Sequence, residues 1–217
     1  MDPTAVTIPH GDDFELTGDG AAAAWQAIPW LDLERVGGPA PYRTRCKQLR
    51  SATGLYLLVD CEDRRLDNTM QADGLDLFTE DVVEWFLQPD PAVPLYIEYE
   101  LSPLGHHLVL LVPNAGKGFH GWTGWKVEGK RAVRRATAVR GGERAPGAAV
   151  TGWSAECFLP WSLFRGLGNI PLADGGTWRG NVYRIDYVGG KPTHWALFPA
   201  TGNDFHKAAG FGTLRGG

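Results

Sequence analysis

Roughly nine or ten short runs of apolar or alternating residues follow one another along this chain, each closed by glycine, proline or a polar turn. That rhythm favours a β architecture, because each run is too short for a typical helix and too regular for a loop. The stretch 95–101 (LYIEYEL) alternates cleanly, placing Ile97, Tyr99 and Leu101 on one face and Tyr96, Glu98 and Glu100 on the other. Runs 55–61 (LYLLVDC) and 81–88 (DVVEWFLQ) are nearly continuous in apolar residues, as in strands covered on both faces. Residues 44–50, 106–112, 132–139, 153–159, 178–188 and 194–198 complete the set. The turns SPLG at 102–105 and VGGK at 188–191 suit hairpins. Helical signals are poor: Ala21–Trp30 allows one or two turns, and 161–167 a short helix behind Pro160. The sequence therefore predicts an all-β fold, an antiparallel β-sandwich of jelly-roll type with little helix. No repeat or linker divides the chain, so residues 1–217 read as a single domain.

At 217 residues such a domain can bury a large core without staples. The net charge of −4 and pI of about 5.8 argue against nucleic acid as a partner, since phosphates call for clustered lysine and arginine. The basic run from Lys126 to Arg144 is broken by Gly, Val and Ala and reads as a solvated strand pair or loop. No stretch has the length of a membrane span, so no membrane partner is expected. The opening MDPTAVTIPHGDDFEL has neither a basic nor an apolar leader segment. As written the chain reads as cytoplasmic, and as secreted if a leader has been trimmed. Cys46, Cys61 and Cys157 form no CxxC pair and read as small buried hydrophobes.

The chain has no GxSxG elbow, HExxH, Walker loop or Rossmann glycine pattern. Carboxylates gather in DCED (Asp60, Glu62, Asp63) and in TEDVVE (Glu80, Asp81, Glu84). Such groups can cap strands and pair with Arg64 and Arg65, coordinate calcium through oxygen, or supply the two carboxyls of a glycosidase. A second polar set, Glu84, Glu98, Glu100, Glu156, Arg184 and Asp186, falls inside the strands. It fits either a solvent face or a groove in which carboxylate and guanidinium groups meet hydroxyls in planar fashion. Nine tryptophans offer flat rings for such a groove as readily as core filling.

Seven segments in order carry a resemblance that spans nearly the whole chain. They are GDGAAAAW (18–25), LYLLVDCED (55–63), DLFTEDVVEWFLQP (76–89), YIEYELSPLG (96–105), GWSAECFLPWSLF (152–164), WRGNVYRIDY (178–187) and HWALFPATGNDFHKAAGFGTL (194–214). In this arrangement the chain resembles the family 9 carbohydrate-binding modules, often attached to xylanases. The resemblance implies a jelly-roll sandwich that binds a sugar, of xylan or another polysaccharide, without catalysing a reaction. It implies a clamp of two rings at Phe78 and Trp195, with Glu84 bonding to sugar hydroxyls; Arg184 is expected to join it. Phe78 stands where the best-known sugar binders carry tryptophan. No cofactor is required, and a bound metal would be calcium, held by Asp60, Asp63 and Asp81. Two alternatives remain: a haem-carrying sandwich like the DOMON domains, or a glycoside hydrolase. Haem would need an axial ligand such as Met70, His106, His107, His194 or His206.

Overall fold

The computed structural model describes residues 4–114, 120–200 and 204–217. Its strands are β1 (Ala5–Ile8), β2 (Leu31–Arg35), β3 (Thr44–Arg50), β4 (Gly54–Glu62), β5 (Val82–Gln88), β6 (Leu95–Leu101), β7 (His107–Pro113), β8 (Thr123–Gly124), β9 (Arg134–Arg140), β10 (Gly152–Pro160), β11 (Thr177–Val188), β12 (Lys191–Ala196) and β13 (Gly212–Gly216). The helical signals resolve to 3-10 turns at Ala23–Trp25 and Trp161–Phe164. Among the described residues no helix is long and apolar enough to cross a membrane.

The strands form a curled antiparallel arrangement in the order β8-β7-β6-β5-β11-β12-β2-β3-β4-β10-β9. Strands β8 to β12 of that order make a front sheet, and β2 to β9 a back sheet. The two join where Trp195 and Ala196 pair with Arg35 and Glu34. Strand β13 pairs antiparallel with the start of β11, and β1 runs parallel to β13. Every run read from the sequence is a strand, shifted by a few residues at most. The strands it did not give, β1, β2, β8 and β13, are short, and β13 is glycine-rich, so neither length nor alternation marks them.

Alternation sorts the side chains into three apolar layers. Between the sheets lie Val83, Trp85 and Leu87 of β5, Ile97 and Tyr99 of β6, and Val182 of β11. They face Leu55, Leu57 and Val59 of β4 and Trp153, Ala155 and Cys157 of β10. This is the main core, and its burial is the dominant favourable term in folding. All three cysteines are buried and unpaired. Behind the back sheet, Trp25, Ile28 and Phe14 cover Tyr56, Leu58 and Phe158. In front of the front sheet, Val82, Phe86, Tyr96, Leu108, Leu110, Tyr183 and Ile185 form a third layer, roofed by Leu77, Phe205 and Phe211. The roof is incomplete, and the gap in it is the site described next. Gly180 lets β11 lie close against β5, because a Cβ there would collide with the Phe86 carbonyl.

Candidate functional site

The floor of the site follows from strand register. On the front face of β5 stand Glu84 and Phe86. Across β6, Glu100 lies opposite Glu84 and Glu98 opposite Phe86. Across β11, Tyr183 lies opposite Glu84. Residues two apart on one strand share a face, so three carboxylates and an aromatic ring are set side by side. Loops supply the walls: the 3-10 turn Leu77–Thr79 brings Phe78, the segment entering β8 brings Trp122, and the segment before β13 brings Asp204, Phe205 and His206. The cavity, open on one side, measures about 160 Å³.

The walls are largely aromatic. Phe78 and Trp122 meet edge to face with centroids 5.7 Å apart. Trp122 lies nearly parallel to the His206 ring at 6.4 Å. Trp122 is 43% exposed, whereas most of the molecule's tryptophans are buried. Phe205 is fixed below by stacking on Tyr183 at 3.9 Å. The Tyr96 hydroxyl and His206 Nδ1 share a hydrogen bond of 2.6 Å, which orients the imidazole.

The floor is acidic and dry. Burial pushes the Glu98 carboxyl up to about 7. Burial and the neighbouring Glu98 hold Glu84 well above the usual carboxylate range. Burial, then Glu84 and Glu98, do the same to Glu100. Like charges in a low dielectric cannot all ionise, so adjoining carboxyls retain protons. Burial lowers His206, which keeps it neutral near pH 7.

Of the site residues expected from sequence, the structure brings Phe78 and Glu84 together in this cavity. Arg184 and Trp195 lie elsewhere. Arg184 pairs with Val83 of β5, and Trp195 with Arg184, so both face the space between the sheets. Each is 0% exposed. The Arg184 guanidinium sits 5.0 Å from the Trp195 ring centroid, and it binds Asp63 at 2.9 Å and Asp186 at 2.6 Å. It also donates to Thr44 Oγ1 at 2.9 Å and the Glu62 carbonyl at 2.8 Å. Phe78 and Trp195 therefore do not face one another across the cavity; the ring that meets Phe78 at its rim is Trp122. The side-chain period of two fixes this: on β12 the residues facing the cavity side are His194 and Ala196, not Trp195. Glu98 and Glu100 were legible as a polar face of β6. Trp122, Asp204 and His206 sit in irregular segments that carry no periodic signal.

The expected calcium ligands also separate. Asp60 stands on the outer face of the back sheet, between Arg45 at 3.0 Å and Arg140 at 2.7 Å. Asp63 and Asp81 instead gather with Asp186, all three buried, with ligand atoms within 4.8 Å of one another. Their oxygens are occupied by N–H donors. Asp63 accepts from the Arg64 and Arg65 amides, Trp153 Nε1 and Arg184. Asp81 accepts from the Asp67 and Tyr187 amides, and Asp186 from Arg184 and the Thr193 hydroxyl. Calcium needs six to eight free oxygen ligands, and here the Arg184 guanidinium already supplies the positive charge, so these residues do not fit the ion. Adding EDTA and then calcium is expected to leave the melting temperature unchanged; a rise of several degrees with calcium would show that the group does bind the ion.

No protein-family model matches the sequence, and no curated protein is similar to it. Solved structures do match. A Bacteroides uniformis protein suggested to bind carbohydrate aligns at TM-score 0.75 and 18% identity, over 97% of this chain and 98% of that one. A family 9 carbohydrate-binding module from Caldicellulosiruptor kristjanssonii, solved with cellotriose, aligns at TM-score 0.65 and 15% identity, over 98% of this chain and 94% of that one. The same organism's family 9 module solved with glucose aligns at TM-score 0.67 and 15% identity, over 98% and 95%. The likeness runs end to end, and the fold of this chain is the β-sandwich found in family 9 carbohydrate-binding modules.

Proposed function

We propose that this chain binds carbohydrate without transforming it, taking one sugar ring into the front-sheet cavity. The observation that carries this reading is the pairing of rim and floor. Phe78 and Trp122 present apolar rings at the mouth, and Glu84 and Glu98 present hydrogen-bonding carboxyls beneath. A pyranose has that same division, with C–H bonds on its faces and hydroxyls on its edge. Aromatic rings match the faces and carboxyls the hydroxyls. The volume of about 160 Å³ suits a single sugar ring and is too small for a haem macrocycle. The carboxyls also argue against a hydrolase. Glycoside hydrolysis works with one carboxyl protonated and its partner ionised, whereas Glu84, Glu98 and Glu100 are all pushed upward together. Solved structures with the same fold hold cellotriose and glucose, which supports a neutral sugar as the first ligand to try.

Replacing Trp122 with alanine should weaken glucose binding about tenfold, a loss of roughly 1.4 kcal/mol, within the range of ring-stacking contributions. Calorimetric titration of wild type and variant measures it directly. Equal affinity in a folded Trp122→Ala protein would remove Trp122 from the site.

A further inference from the structure

Resting on the sugar-binding reading of the front-sheet cavity, we propose that its preferred ligand is a sugar bearing a free amine, held as an ammonium over the floor carboxylates. Among the described residues the cavity lining includes Glu84, Glu98 and Asp204 but no lysine or arginine. Glu98 is 3% exposed, lines the cavity, and its Oε2 has no hydrogen-bond partner. The nearest basic atom, His206 Nδ1, stands 3.9 Å away and is engaged with the Tyr96 hydroxyl. Behind it Glu100 is buried, with Glu98 and the Phe78 backbone as its polar neighbours and no cation among them. Elsewhere in the molecule buried carboxylates are answered from within: Asp63 and Asp186 by Arg184, Glu156 by Trp25 Nε1 and the Thr17 amide. Among the described residues no lysine or arginine answers the front-sheet trio.

Buried carboxylates without a cation are costly, and a ligand that brings one removes the cost. A neutral hydroxyl gives Glu98 one hydrogen bond and leaves the carboxyls protonated. An ammonium gives three donors and a positive charge in the same volume. Phe78 and Trp122 reinforce the choice, because a cation near an aromatic face is attracted to the ring. An acidic sugar meets the opposite situation and is repelled.

A second consequence concerns protons. Among the described residues, the titratable groups facing the cavity are the three glutamates, Asp204, His194, His206 and the Tyr96 and Tyr183 phenols. Burial raises both phenols and lowers both histidines, so none of these four changes charge just above neutrality. The glutamates hold protons in the empty cavity, and an arriving ammonium displaces them into the buffer.

The test is calorimetric titration of the whole protein at neutral pH with glucose, glucosamine, N-acetylglucosamine and glucuronic acid, each in phosphate and in Tris. Glucosamine is expected to bind at least tenfold more tightly than glucose, and glucuronic acid not at all. Its apparent enthalpy should be more exothermic in Tris, which takes up released protons with more heat than phosphate does, while glucose shows no such difference. In Glu98→Gln, with folding checked by near-ultraviolet circular dichroism, the ratio of glucosamine to glucose affinity should fall toward one. Glucose binding as tightly as glucosamine to wild type overturns the amine preference and leaves the sugar reading standing. Tighter glucosamine binding without a buffer difference overturns the carboxylate assignment. If none of these sugars binds, the sugar reading falls and the amine preference with it.

Discussion

Replacing Arg184 with alanine should destabilise the protein by about 3–5 kcal/mol in urea denaturation at pH 8, the typical effect of breaking a buried ion pair by removing one partner. Arg184 is fully buried between the sheets, and one guanidinium nitrogen serves both Asp63 and Asp186. Its removal leaves two carboxylates in a dry layer beside Asp81, with no other cation within reach in that group. It also deprives the Glu62 carbonyl and the Thr44 hydroxyl of a donor. The unpaired carboxylates can escape by taking up protons. The deficit should therefore shrink as the pH is lowered from 8 to 5, since protonation removes the uncompensated charge. Arg184→Lys should fall between the two, because lysine restores charge without the second guanidinium nitrogen that donates to Thr44 and the Glu62 carbonyl. A loss below about 1 kcal/mol for Arg184→Ala at pH 8 would show that the network is not what joins the sheets at this point.

The wild-type protein should lose stability as pH rises from 6.5 to 8.5, by on the order of 2 kcal/mol. The sign follows from the front-sheet glutamates. A carboxyl whose folded value lies above its unfolded one stabilises fully below the unfolded value, and that stability is lost as pH climbs through the folded value. Glu98 at about 7 completes its loss in the lower part of the window, and Glu84 and Glu100, raised further by burial and by neighbouring glutamates, continue it. Asp81, pushed up to about 8 by burial, acts in the same direction. The groups that work the other way add at most about 0.4 kcal/mol per histidine, at the start of the window. His107 at about 4 and the lowered His194 and His206 stabilise fully above the unfolded histidine value. Asp13 and Asp73, lowered by hydrogen bonds and nearby arginine, have reached their full contribution well below pH 6.5. Melting curves across this window measure the slope, and Glu100→Gln should flatten it. A stability that is level or rising from pH 6.5 to 8.5 would mean that the trio is ionised in the folded state.

These two predictions concern opposite faces of one sheet, and they show how far the sequence could be read. The clean alternation of 95–101 puts Glu98 and Glu100 on one face, and the structure keeps them there. The continuous apolar run around Trp85 announced a strand covered on both sides, and β5 is buried along its whole length. Arg184 and Asp186 alternate just as regularly, but alternation does not say which face is which. Only the pairing of Arg184 with Val83 sends the guanidinium inward, toward acids supplied from two distant segments. Trp195 was assigned by family position, and a one-residue difference in phase on β12 decides between cavity and core. Trp122 and His206 come from irregular segments whose course is set by tertiary contacts, so no local pattern points to them.

The most direct test of the central claim is a crystal of this protein soaked with glucose and, separately, with glucosamine. Density for a pyranose in the front-sheet cavity is expected, its edge on Glu84 and Glu98 and its face against Phe78 or Trp122. A sugar bound only at another surface, or a cavity left empty at ligand concentrations that saturate binding in solution, would contradict it.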